Sequence, residues 1–451
     1  MDNSIGTVKF DITRLVKYIT FLACLSLTAE FYSAAASVTQ EKSDEKRKVK
    51  VSVAISEAIY KELTKAQELI EVGGTENVNE GLRLLGKLEQ QKRLTPYEKA
   101  QIYNYFAFTY FQMEDYKKTM NAYLKVLQQP NLPEALIAGT IYTLAQLYFI
   151  QEDYRKAIEY INKWFELTPK PTENAYMLLG QAYYQLEDYR NSLVPLKKAY
   201  LLVKERGDIP KEDLLLLLRV NYFGLNDHPN MIKVVKELIT LYPKTEYWVT
   251  LGGAYSEIKQ LKKNMSIFEL LYESGELPRG NQQLNLANLY LLHEAPYKAA
   301  LVLDKGMKHG VIKKEGRNLR LLSQAWLQAQ ESQKSVEPLK QAAAMSKNGE
   351  LDIRLGQAYI NLDRYDDAIK SLESGLKKGG LKRRDSAYIM LGMANFETRK
   401  FNAALKAFTN ASKDARKQKR STKSTDQWII YVRNEQNREK QLEESLKRKR
   451  R

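Results

Sequence analysis

Residues 144–169 read LAQLYFIQEDYRKAIEYINKWFELTP and residues 178–200 read LLGQAYYQLEDYRNSLVPLKKAY. Leu144, Ala145, Tyr148, Tyr154, Ala157 and Ile161 in the first stretch are matched in order by Leu179, Gly180, Tyr183, Tyr189, Ser192 and Leu196 in the second. The chain therefore contains a repeat. Ala145 and Gly180 leave room for a second helix to approach, and Tyr148 and Tyr183, three places on, share their helical face and fill the space beside it. Each unit reads as a pair of packed helices. The links QED and LED turn the chain, and Pro169 marks a helix end, because proline has no N–H and its ring blocks a helix interior.

Outward from this stretch the small anchor recurs at Ala107, Ala145, Gly180, Gly252, Ala287, Ser323, Gly356 and Gly392, with Arg219 in its place in one degenerate unit. Successive intervals are 38, 35, 39, 33, 35, 36, 33 and 36 residues. The aromatic three places on is Tyr110, Tyr148, Tyr183, Tyr222, Tyr255, Tyr290, Trp326 and Tyr359, slipping one place to Phe396 in the ninth unit. A period near 34 with loop insertions predicts nine units over residues 96–411. Residues 51–95 are predicted to form a capping helix pair, near 55–72 and 78–91, about the turn GGTEN.

These spacings resemble the tetratricopeptide family. The resemblance implies an all-α solenoid, with helix hairpins stacked into a right-handed superhelix that binds rather than catalyses.

Composition agrees with a folded helical chain. Of the 451 residues, 44% are hydrophobic, so bulk disorder is not expected. The formal charge of +17 favours polyanionic partners. Cys24 is the single cysteine, which excludes an intramolecular disulfide and a cysteine-based metal site. His228, His293 and His309 fall in three different units, none with a second ligand at helical spacing. GELPRGNQ has the glycine spacing of a phosphate loop, but Asn281 and Gln282 replace the Lys and Ser or Thr it needs. No G-x-S-x-G elbow occurs. The chain is thus expected to be no enzyme and to hold no cofactor and no metal.

Binding then falls to the surface. Two places before the repeat aromatic lie Gln146, Gln181, Asn288, Gln324 and Gln357, and one place after it lie Phe111, Phe149, Tyr184, Phe223 and Phe396. The family's first helix lines its concave groove, where amides can pair with an extended peptide backbone while aromatics meet its side chains. Packing alone favours the same residue types, so both readings stand.

The two ends differ in character from the array. Residues 1–36 carry Lys9, Arg14 and Lys17, an apolar run from Tyr18 to Ala29, and small residues up to Ala36, the three-part build of a cleaved signal peptide. An inner-membrane anchor at residues 18–29 is the alternative. Residues 37–50 read as a solvated linker. Over 412–451 a basic helix and tail are expected, from about Thr425 to Lys447, started by a capping box of Ser424 and Gln427. From Lys413 to Arg451 there are 14 basic and 6 acidic residues, with Lys447, Arg448, Lys449, Arg450 and Arg451 last. This tail either touches an anionic membrane or an acidic partner, or is a solvated helix end. Nucleic acid is not expected, because the aromatics sit at packing positions instead of interleaving the basic cluster.

This layout of signal segment, linker, nine units and basic tail resembles the tetratricopeptide proteins found with TonB-type energy-transduction systems of marine gamma-proteobacteria. The resemblance implies a periplasmic scaffold assisting the TonB, ExbB and ExbD complex in iron or nutrient uptake. The alternative is a chaperone-like adaptor in outer-membrane protein or peptidoglycan assembly.

Overall fold

Hairpins of helix follow one another along the chain. The computed structural model describes residues 54–449. The expected signal peptide 1–36 with its alternative anchor 18–29, the linker 37–50, and Arg450 and Arg451 lie outside the described residues. Among the described residues there are helices and no strand.

The first hairpin pairs α1 (Glu57–Val72) with α2 (Thr75–Glu89). Gly73 and Gly74, at φ of 74° and 82°, reverse the chain between them, a backbone path open to glycine at no steric cost. Because that pair alone completes the turn, α2 begins at Thr75, three residues before the periodicity predicts. Nine hairpins follow. They pair α3 (Pro96–Gln112) with α4 (Tyr116–Leu127), α5 (Glu134–Ile150) with α6 (Tyr154–Leu167), α7 (Glu173–Gln185) with α8 (Tyr189–Glu205), and α9 (Glu212–Gly224) with α10 (His228–Leu241). The next five pair α11 (Thr245–Glu257) with α12 (Leu261–Glu273), α13 (Gly280–Leu292) with α14 (Pro296–Lys308), α15 (Gly316–Gln328) with α16 (Ser332–Met345), α17 (Glu350–Ile360) with α18 (Tyr365–Lys378), and α19 (Arg384–Glu397) with α20 (Phe401–Lys417). Then comes α21 (Lys423–Lys449). The backbone divides into two compact units, up to Leu238 and from Ile239.

In four hairpins a glycine anchor on the first helix faces a large side chain sixteen residues later on the second: Gly180 and Leu196, Gly252 and Phe268, Gly356 and Leu372, Gly392 and Phe408. A Cβ on Gly180 would stand 2.5 Å from Leu196 Cγ, and one on Gly392 would stand 2.7 Å from Phe408 Cζ. Real Cβ contacts are not that short, so these helices lie too close for any larger residue without repacking. Ala145 and Ile161, at the same places in another hairpin, are both fully buried. In α9 the apolar run is likewise consumed by the interior, with Leu214, Leu215, Leu217 and Leu218 buried.

The turn inside each hairpin is also the same nine times. Glu114, Glu152, Glu187, Asn226, Lys259, Glu294, Gln330, Asp363 and Arg399 stand at φ between 55° and 63°, and the next residue's N–H returns to a carbonyl of the first helix. Asp153 N–H reaches Tyr148 O at 2.9 Å, and Ala295 N–H reaches Tyr290 O at 2.8 Å. This satisfies helix-end carbonyls that would otherwise be orphaned. None of the nine residues is glycine. In the unit up to Leu238 an aspartate then caps the second helix: Asp115, Asp153, Asp188 and Asp227 accept the N–H of Lys118, Lys156, Asn191 and Asn230 at 3.0 to 3.2 Å.

A buried carboxylate fastens the outermost element of each unit. Glu98 on α3 accepts Ser56 Oγ–H at 2.6 Å and Ser56 N–H at 3.0 Å with one oxygen, and Thr95 N–H at 2.8 Å with the other. Asp385 on α19 accepts from Arg383 at 3.1 Å and from Arg420, just before α21, at 2.9 Å. Burial alone would push both carboxyl pKa values up, but the hydrogen bonds outweigh it and hold both below the usual range. α21 then packs on α20, with Trp428 stacked on Phe408 at 5.3 Å and Val432 fully buried. Its expected capping box is not formed. Ser424 already lies inside the helix, and the start is held by Thr422, whose hydroxyl donates to Asp426 at 2.8 Å and whose carbonyl accepts Asp426 N–H at 2.9 Å.

Candidate functional site

The sequence-chosen aromatics prove to be braces within hairpins. Phe111 meets Tyr116 edge-on at 5.9 Å, Phe149 meets Tyr154 at 5.3 Å, and Phe223 meets the His228 ring at 6.4 Å. Tyr184 lies 6.0 Å from Tyr189, and Phe396 lies 5.9 Å from Phe401. In every case the last turn of the first helix touches the first residue of the second. Edge-to-face contacts, and the tilted one between Tyr184 and Tyr189, stabilise the turn at these distances. Phe149 is only 4% exposed and offers almost no surface to a ligand, whereas Phe223 is 45% exposed. Burial also raises the Tyr184 phenol above its ordinary pKa.

The amides divide by unit. Gln146 and Gln181 are half-buried, while Asn288, Gln324 and Gln357 are exposed. Asn288 Nδ2 donates to Leu284 O at 2.9 Å, and Gln357 Nε2 donates to Asn361 Oδ1 at 2.9 Å, so each keeps its carbonyl oxygen outward-capable.

Around the exposed amides lie residues the sequence reading passed over. α13 also exposes Asn281 and Asn285, which with Asn288 fall at i, i+4 and i+7 on one helical face. α15 exposes Arg317 and Arg320 before Gln324, and α17 exposes Arg354 before Gln357. Among the described residues none of these three arginines has a carboxylate within ion-pair distance. α13 and α15 contain no acidic residue at all. Equivalent positions in successive repeats face the same side of a stack, so these three first helices present a band of amides and unpaired guanidinium groups. The signal was available in the register: Asn281 and Arg317 stand six places before their anchors, and Asn285 and Arg354 two places before theirs.

Many lysines are engaged elsewhere. Eight places after the repeat aromatic, Lys118, Lys156, Lys298 and Lys334 cover Tyr110, Tyr148, Tyr290 and Trp326 at 4.9 to 5.6 Å. The Lys447, Arg448 and Lys449 backbone belongs to α21. Among the described residues no group of His, Cys, Asp and Glu side chains could hold a metal, and no helix is long and apolar enough to cross a membrane.

Two family models match the chain: anaphase-promoting complex, cyclosome, subunit 3 over residues 113–199, and tetratricopeptide repeat over residues 353–418. No curated protein matches. Solved structures similar to the chain include the TPR2AB-domain:pHSP90 complex of yeast Sti1, 15% identical over 58% of this chain and 98% of that one, TM-score 0.34. A tetratricopeptide repeat protein from Parabacteroides merdae ATCC 43184 is 15% identical over 60% and 99%, TM-score 0.35. MamA is 19% identical over 39% and 93%, TM-score 0.32. Nine hairpins at this period, with matched stretches in both units, make the chain an all-α tetratricopeptide-repeat protein, a family of protein-interaction scaffolds.

Proposed function

We propose that the chain is a non-catalytic scaffold that holds an extended, carboxylate-bearing segment of a partner protein along the polar face of α13, α15 and α17. The observation that carries this reading is the band of Asn281, Asn285, Asn288, Arg317, Arg320, Gln324, Arg354 and Gln357, exposed and without an acid on α13 or α15. Amides supply donors and acceptors for a peptide backbone, and guanidinium forks match carboxylates. Charge of one sign also steers an acidic segment and rejects a basic one.

Fluorescence anisotropy with acidic, neutral and basic versions of one labelled peptide tests this. The acidic version should bind about tenfold or more tighter than the basic one. Arg320→Glu with Arg354→Glu should remove the preference, while Arg190→Glu on α8 should leave it. Equal binding of all three peptides overturns the reading.

The partner proposed is the TonB, ExbB and ExbD complex, and the compartment the periplasm, on the layout of a signal-like segment followed by a repeat array. Crosslinking and pull-down from cells should recover TonB-complex subunits. Recovery of outer-membrane assembly or wall-synthesis proteins instead favours the chaperone-like adaptor. Sequencing of the mature amino terminus should give a start near Ser37, and an intact Met1 reopens the anchored and the cytoplasmic readings.

A further inference from the structure

α21 extends beyond what it packs on. Its inner seam runs through Trp428 and Val432 to Gln436, whose Nε2 donates to Asn402 Oδ1 at 2.9 Å, and to Glu439, whose carboxylate pairs with Arg399 at 2.5 Å. The helix then continues from Lys440 to Lys449, a further ~15 Å at the α-helical rise. Among the described residues, no side chain between Lys440 and Leu446 bonds another helix. Leu442 and Leu446, one turn apart on one side, are 57% and 48% exposed. From Lys440 to Arg451 the sequence carries six basic and two acidic residues.

Two chemistries compete for such a surface. A partner helix packs through an apolar stripe sustained over several turns, and two leucines supply one turn of it. A small apolar footprint followed directly in sequence by five basic residues, 447–451, is instead what an anionic lipid interface accepts: leucine enters the boundary between headgroups and acyl chains while cations meet phosphates. We propose that the distal part of α21 docks on an anionic phospholipid surface, Leu442 and Leu446 entering the interface. α21 is too polar to cross a bilayer, so the contact it makes is peripheral. It is independent of the peptide-binding face and survives the failure of that reading.

Flotation of the chain from Ser37 onward, which leaves out the apolar run 18–29 and keeps every described residue, tests it, with vesicles of phosphatidylcholine alone and of phosphatidylcholine mixed with phosphatidylglycerol. The chain should float with the mixed vesicles only, and should release as salt is raised, since the attraction is screened within a Debye length. Leu442→Glu with Leu446→Glu should lower the bound fraction roughly tenfold. Helical content and melting temperature should stay unchanged, because both leucines face solvent. Equal flotation with both vesicle types overturns the proposal. So does the absence of flotation, retention of the double variant at the wild-type level, or a dimer in sedimentation that the double variant abolishes.

Discussion

The hairpins from α3 to α10 and those from α11 to α18 share one topology and fix their turns differently. In the first set each turn carries an aspartate cap and an aromatic brace: Asp153 holds Lys156 N–H while Phe149 leans on Tyr154. In the second set Gln260, Ala295, Glu331 and Arg364 occupy the aspartate's place and make no side-chain cap. Ser256, Leu291, Leu327 and Ile360 occupy the aromatic's place. The backbone turn with its positive φ is common to both. Local side-chain chemistry is therefore an optional reinforcement, and helix packing at the anchor is the shared requirement. The polar face available to a partner lies on the hairpins without that reinforcement.

The contrast is sharpest at the brace. Phe149→Ala should cost about 3 kcal/mol of unfolding free energy, while Leu327→Ala at the equivalent place, 40% exposed, should cost less than about 1 kcal/mol. Chemical denaturation of the two variants measures the difference, and equal losses would dissolve it. At the cap, Asp153→Ala should lose about 1 kcal/mol and Glu331→Ala close to nothing. Conversely, Ala295→Asp should gain about 1 kcal/mol by importing the missing cap, read as slower hydrogen exchange at Lys298 N–H. Glu152→Gly and Gln330→Gly relieve the same left-handed backbone in the two sets and should each stabilise by only about 0.5 kcal/mol, with no difference between them.

Acid should act on both units alike, at the carboxylate that fastens the outermost element of each. Glu98 and Asp385 have pKa values below the ordinary carboxylate range when folded, so their contribution is complete at neutral pH and is lost as pH falls through those depressed values. Below about pH 4, hydrogen exchange should quicken in α1 and in the first turns of α21 before it does in the hairpins between. A first response in the middle of either unit would contradict this.

How much of this the residues announce depends on whether a feature repeats. The anchor and its aromatic recur at a fixed interval, so the hairpins and their order are legible from Ala145, Gly180 and their counterparts. The tripeptide QED reads only as a link until Asp153 is seen to accept Lys156 N–H. Phe149 and Phe223 have one register and one chemistry, yet one is interior and the other half in solvent. That difference is set by neighbouring helices, which no local pattern encodes. The start of α21 misleads for a related reason: Ser424 and Gln427 have the spacing of a capping box, but Thr422 with Asp426 takes the role two residues earlier. The guanidinium groups of Arg317, Arg320 and Arg354 were readable and lay outside the two register positions considered.

The sixteen-residue partnership between anchor and filler has a consequence for how such an array can be edited. Gly392 admits Phe408 because it has no side chain, whereas in another hairpin the same two places hold Ala287 and Leu303, both fully buried. Exchanging first helices alone would set Ala287 against a phenyl ring, or leave a void where Gly392 met leucine. A hairpin is thus the smallest cassette that can be duplicated, deleted or recombined without repacking. Viable splice points fall in the links between cassettes, such as 168–172 or 310–315, and not in the tight reversals within them.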